Sequence, residues 1–223
     1  MTPEQNITLS KDGSHTLYST KYKAHYHSVF GAIEESTHVF ISGGLFHLTK
    51  KGKNHISIFE MGFGSGLNAL LSCLKSQELQ LDLSYETIES DPIDSSLLKN
   101  INYGSLLNDS SNIFEAIHSA EWNKPVRISE SFDFLKKHTT VQDHTTETKY
   151  DLIYWDAFAP NCQAFMWEKD IHQKYYELLN PYGVLVSYCS NSKFRKVLEE
   201  IGYVTEFLNG PAKKREMIRA YKI

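Results

Sequence analysis

The chain has 223 residues, 41% hydrophobic and 22% charged, the balance of a folded globular protein and not of a disordered one. This length suits one α/β domain spanning 1–223 and argues against a second large one. A net charge of −4 does not mark a general nucleic-acid binder, and neither an apolar run of membrane length nor a secretion signal is present, so a cytoplasmic protein is expected.

Residues 1–50 read as an extension. Asp12-Gly13 lies between two short alternating runs from Ile7 to Tyr18, the pattern of a β-hairpin. Ile33, Thr37, Phe40 and Ile41 then recur at helical spacing, and that helix should end before Gly43-Gly44. Glu34 and Glu35 fall in its first turn, where acids complement the helix dipole. His25 and His27 lack a carboxylate or cysteine at metal-ligand spacing. Cys73, Cys162 and Cys189 are far apart with no C-x-x-C, so neither a metal site nor a disulfide framework is expected.

Residues 51–223 read as a nucleotide-binding core. Ile56, Ile58 and Phe59 supply an apolar strand, Leu67, Leu70, Leu71 and Leu74 a helix, and Gly62, Gly64 and Gly66 lie between them. Such glycines permit a tight turn and close approach of a ligand, towards which the helix start points its free N–H groups. Leu67 stands where the dinucleotide fingerprint needs its third glycine. The turn therefore favours a nucleoside without pyrophosphate, such as S-adenosylmethionine, over a nicotinamide dinucleotide. A second strand from Leu81 to Thr87 leads to Glu89, 23 residues beyond Gly66, about where such folds place the acid that accepts the ribose hydroxyls.

Helices are predicted over 95–101 and 112–122, with Asn112 and Glu115 as a capping pair. Val126 to Ser129 reads as the third strand, and the following turn, with Ser131 and Phe132, should face the adenine. Residues 139–149 are polar and unpatterned, the composition of a mobile loop. Tyr150 to Asp156 is the fourth strand, which delivers Asp156 to the crevice outside the carboxyl ends of the sheet. A helix from about Glu168 to Leu179, a strand at Val184 to Tyr188, a helix closed by Gly202 and two strand-like runs around Gly210 to Lys214 complete the chain.

Four motifs, in order along the chain, carry a resemblance: Gly31-Ala-Ile-Glu-Glu-Ser36 with Val39-Phe40, Glu60 through Asn68, Asp156-Ala-Phe-Ala-Pro160 with Trp167, and Lys213-Lys-Arg-Glu-Met217. With them the chain resembles the methyltransferase domain of the MnmC-type tRNA 5-methylaminomethyl-2-thiouridine biosynthesis proteins. The resemblance implies an α/β, class I Rossmann-like methyltransferase, with a mostly parallel seven-stranded sheet flanked by helices, a C-terminal antiparallel hairpin and a small N-terminal hairpin extension. Its cofactor would be S-adenosylmethionine, contacted by Glu60, Gly62, Phe63, Gly64, Gly66, Asn68, Glu89, Ser131 and Phe132. Two positions depart from the family pattern: Glu130-Ser131 replaces its usual glycine-aspartate, and Ala157 the glycine after the aspartate.

The implied activity is N-methylation of 5-aminomethyl(-2-thio)uridine at the wobble position of tRNA. Asp156 would orient the amine, Phe158 and Trp167 would stack on the uridine, and Lys213, Lys214 and Arg215 would meet phosphates of the anticodon arm. Many relatives carry a fused flavin oxidoreductase, for which 223 residues leave no room, so a stand-alone methyltransferase with tRNA as its partner and no stable protein partner is expected. Two other classes stay open. One is a small-molecule methyltransferase or polyamine-synthase-like aminopropyl transferase on the same fold, and the other a non-catalytic RNA-binding module.

Overall fold

An antiparallel sheet of three short strands opens the chain in the computed structural model, which describes residues 5–211 and 215–223. Its strands are β1 (Gln5–Leu9), β2 (His15–Ser19) and β3 (Ala24–His25), so the predicted hairpin gains a third strand. The Asp12 turn also serves the next element. Its carboxylate accepts the Ser14 and Glu34 backbone N–H groups, both at 3.0 Å, and so caps α1 (Ala32–Ser36) from outside. Burial opposes ionisation of Asp12, but those bonds and the hydroxyls of Ser14 and Ser10 outweigh it and hold its pKa down at about 2.

The predicted helix stop at Gly43-Gly44 does not occur. Helix α1 runs into a wide π-helical stretch, Thr37–Leu45, and on into α2 (Phe46–Thr49). The glycines are where this helix touches the sheet. A methyl on Gly44 would lie 3.1 Å from Leu152 and Val186, and one on Gly43 2.5 Å from Met217. They serve close approach here, not termination.

The main sheet begins with β4 (His55–Met61), followed by α3 (Leu67–Leu79), β5 (Asp82–Glu89) and three short helices, α4 (Ser95–Leu98), α5 (Tyr103–Leu106) and α6 (Ile113–Ser119). Then come β6 (Val126–Ser129), β7 (Phe132–His138), β8 (Tyr150–Trp155), a 3-10 turn at Ala164–Trp167, α7 (Lys169–Leu178), β9 (Leu179–Ser187), α8 (Ser192–Ile201), β10 (Tyr203–Asn209) and β11 (Glu216–Lys222). The spatial order is β10-β11-β9-β8-β4-β5-β7-β6. Strands β7, β5, β4, β8 and β9 run parallel, and β11 enters antiparallel between β9 and β10 as the expected C-terminal hairpin. Helices cover both faces, above two separate apolar clusters.

The sheet has eight strands where seven were expected, and the additional one changes the site. Strand β6 is an antiparallel edge; the third parallel strand is β7, with Leu83 opposite Phe132 and Glu89 opposite His138. Two lysines hide β7 in the sequence. Lys136 is buried, lying 5.5 Å above the Phe63 ring and 4.8 Å above Trp122 and donating to the His118 carbonyl, while Lys137 turns to the other face and pairs with Glu86 at 2.7 Å. The expected Asn112 cap is also replaced: Asn112 has φ 54° and no capping bond, and Asp109 accepts the Ile113 and Phe114 N–H groups instead.

Residues 139–149 are anchored where mobility was expected. His144 is 1% exposed and bonds Glu86 at 2.8 Å and Tyr175 at 3.0 Å, with Val141 buried beside it. Burial raises the Glu86 pKa, but His144 and Lys137 outweigh it and the net shift is downward.

Candidate active site

A cavity of about 540 Å³ opens outside the carboxyl ends of β4, β5, β7 and β8, and residues 22–30 of the N-terminal segment close it from above. Gly62, Phe63 and Gly64 form one side. Gly62 (φ 89°) and Gly64 (φ 49°) adopt left-handed conformations that suit glycine, and a methyl on Gly64 would press on Tyr26 at 3.1 Å. Gly66 (φ 75°) sits behind the cavity at the start of α3, where the His118 imidazole would be 2.8 Å from any added methyl. Glu89 is fixed from both oxygens: one accepts the Gly64 N–H at 3.0 Å, the other the Asp91 N–H at 2.9 Å. Burial raises its pKa, a shift those backbone bonds moderate.

Asp156 follows β8 and faces the glycine turn. Its N–H donates to the Met61 carbonyl at 3.2 Å, and the buried Asn68 amide on α3 donates to its Oδ2 at 2.8 Å. Glu60 lies beneath, fully buried and outside the cavity lining, whereas the resemblance implied that it touches the cofactor. Its oxygens lie near Thr87, Asn68 and Tyr85 without a well-formed hydrogen bond to any of them. Burial first, and the Asp156 charge second, push its pKa up to about 8, which favours the neutral acid at neutral pH.

The other side is aromatic. Phe158 stacks on Tyr22 at 4.5 Å and meets Tyr26 edge-on at 5.0 Å. Tyr188 lines the same wall and donates to the Ala157 carbonyl at 2.8 Å, and Glu35, buried, accepts the Ser28 N–H at 3.0 Å. Trp167 does not stack in the crevice. It packs at 4.7 Å against Phe194 in the core, and its indole N–H donates to the Phe158 carbonyl at 2.8 Å. The exposed ring at the rim is Phe165, two residues earlier, because the 3-10 turn directs Met166 and Trp167 inward.

Ser131 and Phe132 are corrected outright. They lie at the amino end of β7, the far end of the sheet from the crevice. There Phe132 packs in the core beside Tyr85 and the Ser131 hydroxyl meets Ser76. The segment that replaces them, 139–142, follows β7 and lines the cavity beside Glu89. Lys213 and Lys214 lie outside the described residues, and Arg215 is exposed, its carbonyl accepting the Gly210 N–H at 3.0 Å. Sequence reasoning missed Tyr22, Tyr26, Gln163, Phe165 and Tyr188, and read Glu35 only as a helix-dipole acid. Among the described residues no cluster of histidine, cysteine and carboxylates could hold a metal, and no helix is long and apolar enough to cross a membrane.

The cavity's charge says what it can accept. Glu35, Glu89, Asp91 and Asp156 line it, and no described lysine or arginine does. A molecule carrying a sulfonium and an ammonium fits this lining, the space is of ligand size, and the glycine turn leaves backbone open beside it. Glu89 would hold the ribose, Gly62 to Gly64 the amino-acid tail, and residues 139–142 the adenine edge.

Residues 126–223 match the family model described as S-adenosyl-L-methionine-dependent methyltransferase, a class whose ligand the charge and shape of the crevice would suit. More particularly, the chain is similar to the tRNA 5-methylaminomethyl-2-thiouridine biosynthesis bifunctional protein MnmC of Burkholderia multivorans, at 24% identity over 95% of this chain and 34% of that one. The corresponding protein of Ralstonia nicotianae is 27% identical over 94% of this chain and 33% of its own length. The chain thus spans about a third of the length of the curated relatives it matches. The crystal structure of MNMC2 from Aquifex aeolicus superposes with a TM-score of 0.76 at 24% identity, covering 98% of this chain and 70% of that one, and shares the fold.

Proposed function

We propose that the chain transfers a methyl group from S-adenosylmethionine to the primary amine of 5-aminomethyl(-2-thio)uridine at the wobble position of tRNA, giving 5-methylaminomethyl(-2-thio)uridine. The observation that carries this reading is the crevice itself. Carboxylates and aromatic rings converge on the reactive end, with no lysine or arginine among the described lining residues, which suits an extruded cationic nucleoside. The similarity to MnmC proteins over most of this chain supports the choice of nucleoside.

Bound S-adenosylmethionine supplies an activated methyl group, so the protein has to present an unprotonated amine in line with it. Neutralising an amine of pKa about 10.4 at pH 7 costs about 4.6 kcal/mol. Asp156, its carboxylate held by Asn68, orients the amine by accepting an N–H, and Phe165 and Phe158 offer faces to the uracil ring. Arg215 and its neighbours 213 and 214 would meet the anticodon-arm backbone, which would make binding salt-dependent; a cytoplasmic location, where tRNA is, goes with this reading.

The test is mass spectrometry of nucleosides from aminomethyluridine-bearing tRNA incubated with the protein and cofactor. One added methyl on the wobble nucleoside is expected; an unchanged nucleoside would sink the proposal.

A further inference from the structure

A second cavity, of about 560 Å³, lies between the glycine turn, α4, α6 and β7. Among the described lining residues it shares only Phe63 and Gly64 with the first. Its charge is of the other sign. Lys99 and Glu115 occupy exposed positions at its rim and offset one another, whereas Lys136 is 2% exposed and contributes its ammonium from within. His118 adds no charge: burial first, then the Lys136 ammonium, hold its pKa down at about 4, and its Nε2–H donates to the Ser65 carbonyl at 3.1 Å. The lining therefore carries one uncompensated positive charge. The Lys136 ammonium donates to the His118 carbonyl at 2.7 Å and lies over the Phe63 and Trp122 rings, but no carboxylate among the described residues pairs with it. Burial alone lowers its pKa, to about 8, which still favours the charged form at neutral pH. A buried charge without a counter-charge is costly, and one carbonyl and two ring faces return only part of that cost.

We propose that this second cavity is a binding site for a small carboxylate with an aromatic body, its carboxylate paired with Lys136. The charge decides the head group. One buried cation matches one negative charge, whereas a phosphate dianion would find its remaining donors, Lys99, Ser95 and Ser119, only at exposed positions. The walls decide the body. Phe63, Phe114 and Trp122 line the space together with Ile93, Leu98 and Ile101, and the space is of ligand size. The Phe63 and Trp122 rings stand perpendicular with centroids 5.9 Å apart, so an aromatic ligand stacks on one and meets the other edge-on. A carboxylate here forms the charge-assisted hydrogen bond to Lys136 that the described chain does not supply. Phe63 and Gly64 are the partition between the two cavities, so this ligand and the cofactor are held side by side, each in its own space. The site does not depend on which nucleoside is methylated.

Calorimetric titration of 2-naphthoate into the full chain tests the site, with 2-naphthalenemethanol as the uncharged counterpart. Expected is one site per chain, with the alcohol weaker by about tenfold or more. Equal affinities, or no binding of naphthoate at millimolar concentration, overturn the proposal. Lys136→Met keeps an unbranched side chain and removes the charge, so naphthoate should bind about tenfold or more weakly. Lys99→Met, at the exposed rim, should change its affinity by less than about threefold. A loss caused by Lys99→Met and not by Lys136→Met overturns the pairing with the buried lysine. The comparison of the two ligands uses the wild-type chain and holds whether or not Lys136→Met folds. In NMR spectra of the wild type the Trp122 indole N–H should shift as naphthoate is added; shifts confined to the Trp155 or Trp167 indoles overturn the location. Saturating S-adenosylhomocysteine should leave the naphthoate affinity within about threefold. Competition between the two would put naphthoate in the cofactor cavity and overturn the second site.

Discussion

The two walls of the crevice are built by opposite means. The cofactor wall comes largely from one continuous stretch, β4 through β5, in which a strand, a glycine turn, a helix and a second strand bring Gly62, Gly64 and Glu89 together. The substrate wall is assembled from distant places: Tyr22, Tyr26 and Glu35 from the N-terminal segment, Asp156 and Phe158 after β8, and Tyr188 after β9. A local motif can hold a nucleoside in many proteins; the proposed choice of substrate draws on segments that meet from distant parts of the chain. Side-chain bonds join the two walls, among them Asn68 to Asp156 at 2.8 Å and His27 to Ser65 at 3.1 Å.

If the walls are functionally distinct, breaking one should leave the other's readout intact. Asp156→Asn gives the largest effect: kcat should fall by roughly 1,000-fold, with S-adenosylhomocysteine affinity by calorimetry changed less than about threefold. A parallel loss of cofactor binding would merge the walls into one unit. Glu60→Gln probes the floor beneath them. The folded pKa of about 8 lies above the ordinary value of 4.5, so the folded state holds an extra proton between those limits. Wild type should lose stability as pH rises through that window, by up to about 1.4 kcal/mol per pH unit, and denaturant titrations of Glu60→Gln should show a flatter profile.

His144→Phe tests the cofactor wall from behind. Glu86 keeps Lys137 but loses its buried histidine partner, so stability should drop by about 2–4 kcal/mol. Freed residues 139–142 should weaken cofactor binding about fivefold without changing kcat at saturating cofactor. Phe165→Ala is the mildest: the KM for tRNA should rise about threefold and cofactor affinity should not move, and a larger effect on cofactor than on tRNA would place this ring on the wrong wall.

The same division explains what could be read from the sequence. The glycine turn and Glu89 were legible because their spacing is itself the geometry. Asp156 was legible because strand ends in a parallel sheet share one edge. Strand β7 was not, since Lys136 and Lys137 break the apolar pattern while making specific contacts on both faces. Losing that strand moved the adenine turn to Ser131 and Phe132, at the wrong end of the sheet. Glu35 and Glu34 are identical in type and adjacent, and only the packing of α1 decides which one turns inward. Phe165 and Trp167 pose the same problem: their order of burial is set by a 3-10 turn that has no sequence period of its own.

The Gly43-Gly44 contact limits how this chain could be recombined. The helix that presents Glu35 rests on Leu152, Tyr154, Val186 and Met217, side chains from β8, β9 and β11, so closely that a methyl group on either glycine would force one of them to shift. Arg219 of β11 further donates to the Gly43 carbonyl at 3.0 Å. Transplanting residues 1–50 onto another scaffold would therefore carry Glu35 but not its seat. A change to the segment that carries Glu35 therefore bears on the packing of β8, β9 and β11 as well, so this segment is not a removable cassette.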